Sequence, residues 1–364
     1  MVSLRKYGTY AVGRFEEVKT VLSNHSRFTT TAGVGLSDIR KPDSLRVKNP
    51  LLEADPPAHT GIRAGLMKIM SPVVVRRWKA VFEREAEALV DGLLAGDRFD
   101  GVRDVAETFI AGVFPGTVGI TVEREKVLQF GELNFNSNGP RNDFYLRSYE
   151  KVKPLLPWFE EAFQRRNLTP GGMGTQIYDA EDAGVFKPGT AVGLVRVMFR
   201  GGFDTTISGL AAALNQLAQS PEQWALLRAN PRLAVGAFDE ALRHESPARL
   251  MSRTTVEGDI TLGQYKLPGD AKISAFIGAA NRDPRRWLDP AKFDIQRPTP
   301  GTHLAFGASA HICIGMLIAK FEAEAILVAL AKRIRTIEPD GAPSYRLVNT
   351  LRTLASLPLR ITAD

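Results

Sequence analysis

The sequence predicts a mainly α-helical chain with a small β portion. Three observations predict it. Residues 188–220 are apolar nearly all round and form the longest helical candidate, roughly 50 Å at the α-helical rise. Helical apolar spacing also runs from His59 to about Ile120 and across 122–168. From Arg253 to Ala279 the pattern changes to short strand-like runs, separated by Gly258-Asp259 and Pro268-Gly269-Asp270.

Taken in order, Lys6 to Arg14 holds the strand formers Tyr7, Thr9, Tyr10 and Val12. Phe15 to Leu22 reads as a short helix, and 30–57 as a long ordered loop of the kind that usually serves function. Breaks are expected near Gly96-Asp97 and Pro115, and a kink at Pro154 and Pro157. Gly171 to Gly174 marks a turn. Pro221 opens the helix after the central one. Pro231 separates it from another that ends near Ser246-Pro247. Residues 283–300 are Pro-rich with little periodicity. A final long helix is expected from about Gly315 to Ile334, and two or three short strands close the chain. No internal repeat or low-complexity segment is visible, so 1–364 is expected to form one domain.

The length of 364 residues allows a large core. A single cysteine excludes an internal disulfide and fits a reducing, cytoplasmic setting. No charged flank precedes an apolar run at the start, and no apolar run could span a bilayer, so no membrane association is expected. The net charge of +7 comes from scattered basic residues with short clusters such as Arg76-Arg77-Trp78-Lys79. Such a cluster fits a solvated surface or a docking face for an acidic partner. No motif for nucleic acid accompanies it.

The cysteine lies in Phe306-Gly307-Ala308-Ser309-Ala310-His311-Ile312-Cys313-Ile314-Gly315. Glycines on both sides permit a tight loop, and a helix starting just after Cys313 aims its positive end at a thiolate. A thiolate so placed can ligate haem iron; a lone buried cysteine can also be a small hydrophobe. The residues alone leave both readings open.

The segment resembles the cytochrome P450 signature Phe-Gly-x-Gly-x-His/Arg-x-Cys-x-Gly, with Ser309 in place of the second glycine. If that position needs a positive φ, serine costs about 1 kcal/mol there. Three more motifs follow the family's order. Glu240-Ala241-Leu242-Arg243 matches its Glu-x-x-Arg pair, and Arg297 matches the arginine that joins the pair to hold the cysteine loop. Gly201-Gly202-Phe203-Asp204-Thr205 matches the mid-helix motif. Two adjacent glycines there each cost about 1 kcal/mol against alanine, so they call for a reason. His59 and Arg63 share a helix face. The resemblance covers nearly the whole chain, although the leading segment and first helix of the family precede nothing here: Met1 falls at the first strand.

The resemblance implies a P450 fold, with a long central helix over haem b and the cysteine loop on the opposite face. It implies Cys313 as iron ligand and Phe306, Gly307, Gly315 and Gly202 as residues lining the haem. His59, Arg63, Arg253 and His311 would bind its propionates. Thr205 would hold oxygen and water by hydrogen bonds, and Asp204 would relay protons. Electrons would come from an external ferredoxin and a flavoprotein reductase, since no flavin or Fe–S motif is present; the chain itself would be a monomer.

Further segments, among them Ala32 to Asp38, Leu52 to Pro57, Asn138 to Asn142 and Ala280 to Trp287, resemble bacterial P450s that oxidise para-substituted benzoic acids. That resemblance implies hydroxylation or O-demethylation of an aromatic carboxylic acid. Arg46 and Arg196 match basic positions that hold the substrate carboxylate. Asn49 and Val197 replace serines there. Phe135 keeps an aromatic wall, whereas Asn138 and Met251 replace aromatic residues. Competing readings are a P450 for another substrate class (terpenoid, fatty acid or secondary metabolite) and a haem-binding protein without turnover.

Overall fold

The computed structural model describes residues 1–364 apart from 43, 45, 47 and 298–300. Parts of the long front loop and of the Pro-rich stretch therefore lie outside the described residues. The chain opens with strands β1 (Val2–Leu4) and β2 (Thr9–Val12), helix α1 (Phe15–Ser23) and strand β3 (Phe28–Thr29). Helix α1 buries Phe15, Val18, Val21 and Leu22 at helical spacing and carries Glu16 and Glu17 in its first turn, where the helix dipole favours them. After the loop come α2 (Ala58–Ile69), α3 (Pro72–Leu93) and β4 (Arg98–Asp100). A π-helical stretch, Gly101–Glu107, leads straight into α4 (Thr108–Val118). Then follow α5 (Arg124–Ser137), α6 (Asp143–Val152), α7 (Leu156–Ala162) and α8 (Met173–Asp182). A 3₁₀ turn, Lys153–Leu155, sits where Pro154 bends the chain.

The centre consists of α9 (Ala191–Gly202) and α10 (Asp204–Ala218). Next come α11 (Pro221–Ala229), α12 (Ala234–Glu245), strands β5 (Leu250–Thr255), β6 (Ile260–Leu262), β7 (Tyr265–Leu267) and β8 (Lys272–Phe276), and the short α13 (Ile277–Ala280). The long α14 (Met316–Arg333) and strands β9 (Ile334–Pro339), β10 (Ser344–Leu347), β11 (Arg352–Ser356) and β12 (Pro358–Ala363) end the chain. One sheet has the order β1-β2-β8-β5-β3, with β2 and β8 parallel and its other pairs antiparallel. Three smaller sheets pair β4-β12-β9, β10-β11 and β6-β7.

Most of the buried apolar residues fall into two clusters. The larger joins the helices around α10 and α14, and the smaller lies between α1, the five-stranded sheet and Trp287.

Four expectations change. Pro115 does not break its helix: α4 continues to Val118, with Pro115 buried in the larger core. Tertiary packing outweighs the lost hydrogen bond there. The central helix is two helices, interrupted at Phe203, which keeps right-handed dihedrals (φ −83°, ψ −75°) and belongs to neither. Among the described residues the longest unbroken helix is α3, with 22 residues. Four strands, not two or three, close the chain, and β4 was hidden among helical spacing.

Candidate active site

The loop before α14 is tight. Cys313 N–H donates to the Phe306 carbonyl at 2.7 Å, Gly307 has φ 75° and Ser309 has φ 56°. The serine thus occupies the left-handed region that its family counterpart, glycine, adopts freely. The N–H groups of Gly315 and Met316 point at the Cys313 sulfur, at the start of α14. Burial pushes the thiol pKa up, and those N–H groups and the Arg63 charge oppose the rise. Cys313 carries accessible surface although it lies deep in the protein. Its side chain therefore faces an internal opening, which a small hydrophobe packed in the core would not.

Groups from three distant segments meet near that opening. The rings of His59 and His311 are 4.2 Å apart, and Nε2 of each is buried with no hydrogen-bond partner among the described residues. Burial, then the charges of His311 and Arg63, push His59 down to about 4. Burial also lowers His311, against the nearby Asp55, whose carboxylate oxygen is 3.8 Å from Nε2. Arg253 is buried, and among the described residues its side chain donates only to the Ser252 carbonyl, at 2.9 Å. Burial lowers it to about 10. Arg63 is lowered by burial too, and the charge that acts on it is that of Cys313. Asp55 is committed to Thr29 and Thr30 as well. The Arg253 guanidinium and two imidazoles thus face one carboxylate that already has partners, and Arg63 adds a second guanidinium beside the Cys313 sulfur. Such a set fits a ligand with two carboxylates, as haem has.

The helix break shapes the other side. Gly201 is exposed although it sits mid-way along α9–α10, and a Cβ there would meet nothing within 4 Å. It therefore borders open space inside the fold. Thr205 donates to the Gly201 carbonyl at 2.7 Å, and Thr206 to that of Gly202 at 2.8 Å. Such back-bonding to the preceding turn bends helices. Gly202 differs from the expectation for it: a Cβ there would come within 2.1 Å of the Phe114 ring, so it serves close packing against α4. Asp204 is buried, with its carboxyl against Gly131 of α5. Burial pushes it up to about 7, opposed by the Arg346 and Arg200 charges.

Glu240 and Arg243 form a buried bidentate pair at 2.7 and 2.8 Å, and Arg297 joins it at 3.1 Å. Arg243 also donates to the carbonyls of Asn281, Pro290 and Lys292, and Arg297 to those of Leu288, Asp289 and Lys292. The cluster therefore ties α12 to the stretch that leads to the cysteine loop.

The residues matched to substrate binding are less gathered. Arg46 pairs with buried Glu53 at 2.8 Å. Asn49 accepts from the backbone N–H groups of Leu51 and Leu52, so its side chain closes a turn of its own loop. Arg196 pairs with Glu160 of α7 and lies over the Phe163 ring, 6.0 Å away. Phe135 and Asn138 lie at the end of α5, half-buried, and Asn138 Oδ1 is buried with no hydrogen-bond partner among the described residues. Met251 packs against the smaller core cluster. Sequence reasoning passed over Arg200. Its guanidinium lies deep beside Gly201 and donates to Asn134 Oδ1. An arginine inside an apolar helix, four residues after Arg196 and next to the paired glycines, was the available signal.

Comparison with known proteins agrees with this geometry. The family model for cytochrome P450 matches residues 173–344. A cytochrome P450, CYP199A2, of Rhodopseudomonas palustris is 43% identical over 364 residues, 100% of this chain and 88% of that protein. A beta-dihydromenaquinone-9 omega-hydroxylase of Mycobacterium bovis is 28% identical, over 98% of this chain and 72% of that protein. Among solved structures, the P450 CYP109Q5 of Chondromyces apiculatus superposes with a TM-score of 0.81 at 27% identity, over 99% of this chain and 91% of that one. P450BioI bound to an acyl carrier protein superposes at 0.84 with 24% identity, over 97% and 92%. The chain belongs to the cytochrome P450 family, whose members are haem-thiolate monooxygenases.

Proposed function

We propose that this P450 oxidises a small aromatic carboxylic acid, by hydroxylation or O-demethylation of a para-substituted benzoate-like acid. The observation that carries the reading is a charge count beside the opening. Arg46 and Arg196 both act on Arg200 there, and among the described residues Glu53 pairs with Arg46 and Glu160 with Arg196, while Arg200 has no carboxylate in ion-pair contact. Asp204 acts on Arg200 only from outside ion-pair contact, so among the described residues the Arg200 guanidinium is the one of the three open to a substrate with one negative charge. Phe135 supplies an aromatic side chain at the end of α5.

Cys313 is the residue proposed to bind the haem iron, with Phe306, Gly307 and Gly315 shaping its loop. His59, Arg63, Arg253 and His311 would hold the propionates. The haem, once bound, supplies the site for reductive activation of O₂. The rest falls to side chains. Thr205 Oγ1 donates its proton to Gly201, so its lone pairs are free to accept a hydrogen bond at the opening. Asp204, near 7, can both give and take a proton at neutral pH, as a relay needs. Exposed Arg76 and Arg77 on α3 suit an acidic electron donor of the ferredoxin type, served by a flavoprotein reductase. Lys79 is partly spoken for by Glu324, at 2.8 Å. Among the described residues no helix is long and apolar enough to cross a membrane. A cytoplasmic monomer completes the proposal.

The test is a titration of the ferric holoprotein with para-substituted benzoic acids and their neutral esters, followed at the Soret band. A shift toward high spin with the acids alone is expected. Equal shifts with the esters, or none with any acid, would remove the aromatic-acid reading and leave the family.

A further inference from the structure

We propose that Arg200, rather than Arg46 or Arg196, binds the anionic group of the substrate. The inference rests on the aromatic-acid reading and says which residue carries it. Arg46 is held within its own loop: its Nη2 lies 2.8 Å from Glu53 Oε1, and the other oxygen of that buried carboxylate accepts from Asn49 N–H at 2.7 Å. Arg196 is held across to α7 by Glu160 and by the face of Phe163. Arg200 differs. Among the described residues its only hydrogen-bond partner is a neutral amide oxygen, Asn134 Oδ1 of α5.

Its surroundings sharpen the contrast. Arg200 lies deep in the protein yet keeps accessible surface, the combination seen at Cys313. Gly201, the next residue, borders the open space. Burial, then the charges of Arg46 and Arg196, lower Arg200 to about 10, and Glu53 and Asp204 act the other way. Neither carboxylate settles the account. Glu53 belongs to Arg46, and Asp204 holds its own proton for part of the time at neutral pH. A buried guanidinium without a counter-charge is costly, and a ligand carboxylate removes that cost. The guanidinium fork has five donors, and the bond to Asn134 leaves enough of them to grip a carboxylate through two parallel bonds. Phe135 follows Asn134 directly, so the residue that orients Arg200 adjoins the aromatic wall position.

The experiment titrates four holoproteins with para-substituted benzoic acids: wild type, Arg200→Met, Arg200→Lys and Arg196→Met. Imidazole, a neutral iron ligand, is the control. Arg200→Met should weaken acid binding about 30-fold or more, the usual loss when one partner of a buried charge pair is removed. Arg200→Lys should fall between, since an ammonium keeps the charge and loses the fork. Arg196→Met should stay within about threefold, as for an exposed pair. Imidazole binding should not change. Acid binding that survives in Arg200→Met and fails in Arg196→Met would overturn the assignment to Arg200 and leave the aromatic-acid reading standing. A wild type that answers to neutral esters and ignores the acids would overturn both. If Arg200→Met gives no holoprotein, Arg200→Lys decides: acid binding equal to wild type would overturn the fork, and a clear loss supports it.

Discussion

Glu240, Arg243 and Arg297 are buried charges in which every group has partners, and the acceptors left over are backbone carbonyls of the stretch before the cysteine loop. Across the molecule, Arg253, Arg200 and Asp204 are also deep and Arg63 is half-buried, and among the described residues none of them has an opposite charge in ion-pair contact. The same side-chain types thus serve two ends. A closed set fixes the shape of the chain, because removing one member strands the others. An open set waits for something the chain does not contain: a prosthetic group, a substrate or a proton. The comparison predicts opposite responses to substitution. Variants in the closed set should lose stability, and variants in the open set should lose function with little or no loss of stability.

The largest effect is expected at Glu240. Glu240→Ala leaves Arg243 buried without its carboxylate and should cost about 3–5 kcal/mol. Urea denaturation and haem content after purification measure it. A variant as stable as wild type with full haem content would show that the carbonyls alone hold the stretch, and the contrast between the two sets would fail.

Asp204 tests the open set. Asp204→Asn should slow substrate turnover by about 10² or more, if its carboxyl relays protons. Its stability should show a second signature. Asp204 is pushed from 3.8 up to about 7 in the folded chain, so between those values the folded protein holds a proton that the unfolded chain has released. The Asp204 contribution to stability should therefore fall as pH rises from about 4 to about 7 and level off above that, and it is read as the difference between the wild-type and Asp204→Asn profiles. The part due to Asp204 is on the order of a few kcal/mol, and Asp204→Asn should abolish it. Parallel pH profiles of melting temperature in the two proteins would mean that Asp204 is ionised as usual and is no relay.

Thr205→Ala carries the next effect. The hydroxyl bonds only to Gly201 within its helix, so the melting temperature should move by no more than a degree or two. The share of consumed NADH that appears as hydrogen peroxide should rise at the expense of product. Unchanged coupling would remove Thr205 from the proposed chemistry.

These contrasts were only partly legible in the sequence. The closed set was legible because its members sit at fixed spacing on α12 and follow a recognisable Pro-rich stretch. The cysteine loop was legible because glycines mark backbone that other residues adopt at a cost. The helix interruption was half visible: paired glycines announced a special turn, and only the coordinates put the break at Phe203 and gave Gly201 and Gly202 separate tasks. The open set was the hardest to read. Nothing in the local sequence says that Glu53 neutralises Arg46, or that Glu160, 36 positions before Arg196, takes that charge out of the pocket. Charge pairing is a long-range property of the fold, and local pattern carries little of it. Pro115 fell the same way, since the packing that keeps α4 intact around it comes from distant helices.

The smallest expected effect lies where the closed and open regions meet. Ser309 keeps φ at 56° in the cysteine loop, and its carbonyl accepts from Ile312 N–H at 3.1 Å. A residue with a Cβ loses about 1–2 kcal/mol in that conformation. Glycine would avoid the loss and would cost about 0.5–1 kcal/mol in backbone entropy. Ser309→Gly should then stabilise the holoprotein by roughly 0.5–1 kcal/mol, read by urea denaturation, with the acid titration unchanged. If stability rises and acid binding also shifts, the serine does more than occupy a turn, and the loop belongs with the open set. If stability falls, the serine holds the loop in a way that its backbone bond does not account for.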